Sequence, residues 1–233
     1  MSSEIALIFD LDGTLIDSRP DLALSVNSML KEYNLPTFSE EQIGDFIGDG
    51  TPKLAERALR AAGALENMED PSFDRYFETL LHYYQQNIAN KTRIYPGVGR
   101  VLQQFEHLPM AVVTNKPAQF TGPTLAAFGL DKYFSFVAGG DTFEKRKPDP
   151  FPIREAIRSL EADPDSTIIV GDGDTDIEAG KAAGITTVAA LYGYRPPDVL
   201  RQLNPDYAIE SFAELPVIIH EKSGTDRVSN TDK

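Results

Sequence analysis

The sequence predicts an α/β fold, a doubly wound parallel sheet that carries an inserted all-helical segment. Short apolar runs ending in a polar residue recur along the chain, and segments of helical period closing on glycine lie between them. That alternation is interrupted once, over residues 18–92. Strands alternating with helices are the pattern of a parallel sheet covered by helices on both faces.

Ile5–Phe9 (I-A-L-I-F) is a short apolar run ending in Asp10, the pattern of a buried strand. Met110–Val113 before Thr114, and Thr167–Val170 before Gly171-Asp172, have the same form; Phe136–Ala138 and Thr186–Ala190 read as further strands. Residues 97–106 place Val98, Val101, Leu102 and Phe105 at helical spacing. Residues 118–128 and 175–183 are helical stretches that stop at Gly129 and Gly184, where a left-handed residue closes a helix.

In the interruption, Leu22, Val26, Met29, Leu30 and Tyr33 form a helical stripe, and Ser39-Glu-Glu-Gln42 reads as a capping box. Thr51-Pro52 is a helix start with proline at N1, running to Gly63, and another helix is expected over 71–90. The division that follows is a core of residues 1–17 and 93–220 and a helical insertion of 18–92, with hinges near Asp17-Ser18 and Arg93–Pro96. Glu221–Lys233 is polar and lacks periodicity, which predicts a disordered tail.

At 41% hydrophobic and 25% charged residues over 233 positions, the chain can bury an ordinary core. The absence of cysteine excludes disulfides, thiolate catalysis and cysteine-based zinc sites. No apolar run approaches the ~20 residues of a membrane span, and the start lacks a basic segment, so no membrane partner and a cytoplasmic location are expected. The net charge of −14 opposes nucleic-acid binding, which needs a basic face. It also repels anions at long range, so a phosphate site here requires local positive charge from a metal and a few placed lysines. A monomer and a homodimer both remain open.

Asp10-Leu11-Asp12-Gly13-Thr14-Leu15 follows the first strand directly. In doubly wound sheets ligands bind beyond the carboxyl ends of the strands. Two carboxylates spaced i, i+2 there can divide labour, one as nucleophile or metal ligand and one as acid/base. Gly13 lets the chain turn sharply so that backbone N–H groups approach a phosphate. Further strand ends supply Thr114 and Asn115, Lys147 ahead of a stiff, extended Pro148-x-Pro150, and the carboxylates Asp172, Asp174 and Asp176. A hydroxyl, an ammonium and two carboxylate clusters would thus converge at one edge of one sheet.

In these residues the sequence resembles the haloacid dehalogenase (HAD) superfamily along nearly its whole length. Asp10–Leu15, Val113–Pro117, Lys147–Pro150 and Gly171-Asp-x-x-x-Asp176 match its four motifs in order and spacing. The insertion looks like that superfamily's helical cap on a Rossmann-like core. Ile47-Gly48-Asp49-Gly50, Gly139-Gly140-Asp141 and Tyr192-Gly193-Tyr194 are similar to segments of its phosphoglycolate phosphatases.

The resemblance implies that Asp10 attacks phosphorus to form an aspartyl-phosphate and that Asp12 is the general acid, then base. It implies Mg²⁺ held by Asp10, the main-chain carbonyl of Asp12 and Asp172, with Asp176 nearby. It further implies phosphoryl contacts from Thr114 and Asn115, charge neutralisation by Lys147, and a small phosphorylated metabolite as substrate. An oxygen-only ligand set suits Mg²⁺ rather than zinc. Gly48 and Gly50, just before a helix start, offer N–H groups to a second anion, although the charge of Asp49 would repel one unless it points outward.

Gly173 departs from the family's usual Ser or Thr, a hydroxyl that Asp174 is expected to replace in part. His82, His107 and His220 match no catalytic spacing, Tyr83-Tyr84 reads as packing, and Lys53 is an open candidate for substrate contact. Other chemistries on this scaffold remain open: pyrophosphatase, sugar or nucleotide phosphatase, phosphomutase, or a phosphonate hydrolase using a lysine imine. A silent binding module is the rival from another class.

Overall fold

Successive side chains of a strand point to opposite faces of its sheet, so a strand apolar at every position demands cover on both. The computed structural model, which describes residues 4–224, meets that demand. Its strands are β1 (Ala6–Phe9), β2 (Ile16–Asp17), β3 (Arg93–Ile94), β4 (Met110–Val113), β5 (Phe136–Ala138), β6 (Thr167–Gly171), β7 (Thr186–Ala190) and β8 (Tyr207–Ile209). All but β2 and β3 form one parallel sheet in the order β5-β4-β1-β6-β7-β8. From β1 the chain steps outward to β4 and β5, returns to β6 on the other side, and steps outward again. Strand order therefore reverses beside β1, where ligand crevices form in such sheets.

The helices are α1 (Arg19–Glu32), α2 (Glu40–Gly44), α3 (Thr51–Ala61), α4 (Phe73–Gln86), α5 (Val98–Gln104), α6 (Ala118–Ala127), α7 (Phe151–Ser159), α8 (Asp174–Ala183), α9 (Pro197–Gln202) and α10 (Leu215–Ser223). Leu7 and Phe9 join Val112, Ile168 and Val170 in a core closed by α5 and α10 through Val98, Leu102, Leu215 and Ile219. Ala6 and Ile8 face the other way, into a core closed by α7 through Ile153 and Ile157.

Helices α1–α4 lie between β2 and β3 and build a core of their own from Leu22, Val26, Met29, Ile43, Leu54, Leu59, Phe73 and Leu80. Phe120 of α6 joins it, with its ring 4.7 Å from that of Tyr84. The connections into and out of the insertion run side by side, Ile16 beside Ile94 and Asp17 beside Arg93 in an antiparallel ribbon. Asp21, fully buried in α1, ties the exit: its carboxylate accepts the N–H groups of Lys91 (2.9 Å) and Thr92 (2.8 Å) and the Thr92 hydroxyl (2.6 Å). The Ser39–Gln42 capping box forms as expected.

Several local expectations are corrected. Gly50 caps α3 with Thr51 as the first helical residue, so Pro52 sits one place further in than N1. Helix α4 is shorter than 71–90. Residues 147–150 are a turn with a cis Lys147–Pro148 peptide, not an extended segment, and Asp149 accepts the Phe151 N–H (2.9 Å) at the start of α7. Glu221–Ser223 continue α10 instead of joining a tail, because Leu215, Ile218 and Ile219 dock that helix on the core. The rest of the expected tail, 225–233, lies outside the described residues. Among the described residues no helix is long and apolar enough to cross a membrane.

Candidate active site

Register sets the site. Phe9 lies beside Val112 of β4 and Val170 of β6, so Asp10, Thr114 and Asp172 emerge together where the three central strands end. The Asp10 N–H donates to the Val170 carbonyl (3.0 Å), which anchors the loop as it leaves the sheet. Lys147 donates to Asp10 (2.8 Å) and also to Asp176. Asp172 accepts the Thr14 hydroxyl (2.9 Å) and the Tyr194 N–H (2.8 Å), while Asp176 accepts the Gly173 N–H (2.9 Å). Gly13 turns at φ +93, and a Cβ there would stand 2.1 Å from an Asp172 oxygen, so only glycine leaves that carboxylate its place.

Carboxylate oxygens of Asp10, Asp172 and Asp176 all lie within 4.8 Å of one another, and the residues are buried. Among the described residues Lys147 is the one ammonium paired with this cluster. Burial pushes the Asp172 carboxyl well above its ordinary value, and the charges of Asp10 and Asp176 push it further. Burial raises Asp176 too, with Lys147 opposing and Asp10 adding to the shift. Burial alone would lower the Lys147 ammonium, but the charges of Asp10 and Asp176 outweigh it and hold the lysine above its usual range. The cluster thus has surplus negative charge, offers only oxygen donors, and fits a hard divalent cation such as magnesium.

Asp12 sits apart from the cluster. Its carboxylate accepts Lys116 through both oxygens (3.0 and 3.1 Å) and the Ser18 hydroxyl (2.6 Å). The Ser18 N–H donates to the Tyr194 hydroxyl (2.8 Å). Lys116 also donates to the hydroxyl of Tyr84 on α4. Burial would lower Lys116, but Asp12 and Tyr84 hold it high, and burial pushes the Tyr84 hydroxyl up to about 12. Tyr84 therefore packs, as expected, and also reaches the site. Lys116, Ser18, Thr14 and Tyr194 carried no assigned role in the sequence reading. Lys116 stands inside the Thr-Asn-Lys-Pro run, the signal that could have found it.

Asp10, Asp12, Thr114, Asn115, Lys147, Asp172 and Asp176 all line one cleft with Gly48, Gly50 and Thr51 of the insertion. Asn115 lines it, but its amide nitrogen is committed to the Lys147 carbonyl (3.0 Å), where it braces the lysine's backbone. Asp174 does not substitute for a hydroxyl beside the cluster; it pairs with Arg195 (3.2 Å). Lys53 pairs with Glu56 (2.6 Å). Asp49 is held by Arg57, which neutralises the charge expected to repel an anion. His107 and His220 lie against the Phe105 ring and His82 against Gln86, away from the cleft.

Strand-end carboxylates on a parallel sheet, with helices inserted after the first strand, define a class of hydrolase. The sequence matches the model of that class, haloacid dehalogenase-like hydrolase, over residues 7–190, and the chain belongs to this family. It is 41% identical to a phosphoglycolate phosphatase of Haemophilus influenzae over 92% of this chain and 98% of that one. A phosphoglycolate phosphatase of Colwellia psychrerythraea is 37% identical over 90% and 94% of the two chains. A crystal structure from Haemophilus somnus, described as of a predicted phosphoglycolate phosphatase, superposes with a TM-score of 0.86 at 37% identity, covering 94% of this chain and 98% of that one. With such relatives across its length, the chain is a phosphatase.

Proposed function

We propose that the chain is a magnesium-dependent phosphomonoester hydrolase that works through a phosphorylated Asp10, on 2-phosphoglycolate or a similarly small ester. The observation that carries this reading is the separation of two neighbouring carboxylates into different surroundings. Asp10 lies in the three-carboxylate cluster and shares Lys147 with Asp176, whereas Asp12 lies against Lys116 and Ser18, and both open into one cleft.

Asp10, Asp172 and Asp176 would hold the cation, with the Asp12 carbonyl as a further ligand. When bound, it supplies charge neutralisation for the phosphoryl oxygens. Asp10 attacks phosphorus, and Asp12 gives a proton to the leaving oxygen. Asp12 then takes a proton from the water that hydrolyses the aspartyl-phosphate. Thr114 and Lys147 meet the phosphoryl oxygens and hold them in line. Residues 18–92 act as a cap over the core of 1–17 and 93–220, and Leu22, Ile47, Gly48, Gly50, Thr51, Leu54 and Tyr84 form the cap's share of the cleft wall.

The substrate choice is supported by the relatives named phosphoglycolate phosphatase and by the neutralised charge of Asp49. Phosphate release over a panel of esters, with magnesium and with a chelator, tests it. Turnover on small esters only with magnesium is expected. Silence across the panel would favour a binding module, and full activity in chelator would remove the metal.

A further inference from the structure

The mouth of the cleft carries a cation that the phosphoryl chemistry above does not use. Arg195 follows the Tyr192–Tyr194 segment, and the Tyr194 N–H bond to Asp172 (2.8 Å) fixes that segment against the carboxylate cluster. The Arg195 side chain reaches across to the insertion. A Cβ at Gly48, where φ is +126, would stand 3.0 Å from its Nη2, so the glycine makes room for the guanidinium. Gly48 therefore borders the guanidinium, where the sequence alone suggested a donor of backbone N–H groups.

The guanidinium is incompletely partnered. Its Nε donates to Asp174 (3.2 Å). Nη2 is 3.6 Å from Asp49, too far for a hydrogen bond, and that carboxylate is already held by Arg57. Among the described residues neither terminal nitrogen of Arg195 donates a hydrogen bond. The other cations of the cleft are committed, Lys147 to Asp10 and Asp176 and Lys116 to Asp12. Arg195 lines the same cleft, with its side chain 22% exposed. Paired terminal N–H groups on a planar, partly desolvated cation suit bidentate binding of a carboxylate.

We propose that Arg195 is a specificity-determining residue of this site and grips a carboxylate carried on the substrate near its phosphate. The assignment rests on the phosphomonoester hydrolase reading and goes beyond it by naming the second anchor. The substrate class is then a phosphate ester with a second, carboxylate anion. Asp49 and Asp174 orient the guanidinium while the cleft is free of substrate.

The test is the ratio of kcat/KM for 2-phosphoglycolate to that for ethyl phosphate, in the unmodified enzyme and in Arg195→Gln, Arg195→Lys and Asp49→Asn. Arg195→Gln should lower the ratio by about tenfold or more, the size of one charge-assisted contact, chiefly through KM for 2-phosphoglycolate. Arg195→Lys should restore part of it, and Asp49→Asn should leave it unchanged or raise it by removing a competitor for the guanidinium. A ratio unmoved by Arg195→Gln overturns the proposal. So does an Asp49→Asn enzyme that matches Arg195→Gln with equal losses on both esters, which would make Arg195 only a clasp between insertion and core. Equal turnover of the two esters by the unmodified enzyme overturns this assignment alone, whereas turnover of neither overturns the hydrolase reading beneath it.

Discussion

Asp10 and Asp12 are two residues apart and chemically distinct because different elements close around them. Asp10→Asn should abolish phosphate release while leaving the fold intact, since Lys147 keeps its partner Asp176. A beryllium fluoride adduct should form on Asp10 in the unmodified protein, and adduct density on another carboxylate in a crystal would displace Asp10 as the nucleophile. Asp12→Asn should cost on the order of 10²–10⁴ in kcat on alkyl esters, the range of general acid–base catalysis. It should cost less on nitrophenyl phosphate, whose leaving group needs no proton; equal losses would remove the acid role. These two aspartates were legible because they follow an apolar run in a Gly-turn motif. The pairing of Lys116 with Asp12, 104 positions away, was not, because an isolated lysine in a sequence reads as a solvated charge.

At the scale of elements, hydrophobic period was a good guide wherever burial was complete. β1 and β4 are apolar along their length, β6 and β7 become apolar after a threonine start, and all four stood out as strands. β8 did not: of Tyr207, Ala208 and Ile209 only Ile209 is buried, so an edge strand of three residues leaves little pattern. The ribbon of β2 and β3 is two residues deep and owes its existence to the insertion's two ends meeting. Asp21 secures that meeting. Asp21→Ala would orphan the buried N–H of Thr92 and its hydroxyl along with the Lys91 N–H, and should destabilise the protein by at least about 2 kcal/mol. Urea denaturation reads this directly. A change within about 0.5 kcal/mol, the ordinary scale of a surface substitution, would show that the tie carries no load.

The whole molecule bears a net charge of −14 and gathers three of its carboxylates at one buried point. Burial raises the folded-state pKa of Asp172 and Asp176 above the ordinary 3.8, so between that value and the raised ones the folded protein binds more protons than the unfolded chain. Stability from these groups is therefore full below the unfolded value and is lost as pH rises through the folded ones. A cation on the cluster should reverse that loss, because it replaces the protons. The gain in Tm on adding magnesium to chelator-treated protein should grow as pH rises from the ordinary carboxylate value of 3.8 through about 6, to which Asp176 is raised. It should shrink in Asp172→Asn, which also relieves repulsion in the metal-free state. A gain independent of pH and of Asp172 would place the cation elsewhere.

The sequence by itself determined the parallel sheet, the helical insertion after the first strand, the strand-end acids and hydroxyl, and the lysine of the Lys147–Pro150 motif. Each of these is written in a local pattern, either a period of burial or a turn-forming motif beside a strand. Only the tertiary structure decided that Lys116 faces Asp12, that Tyr84 of the insertion reaches that lysine, and that Arg195 crosses to Gly48. Those contacts join the core's loops to one another and to the insertion. No periodicity encodes them, because they depend on how separately folded layers are set against each other.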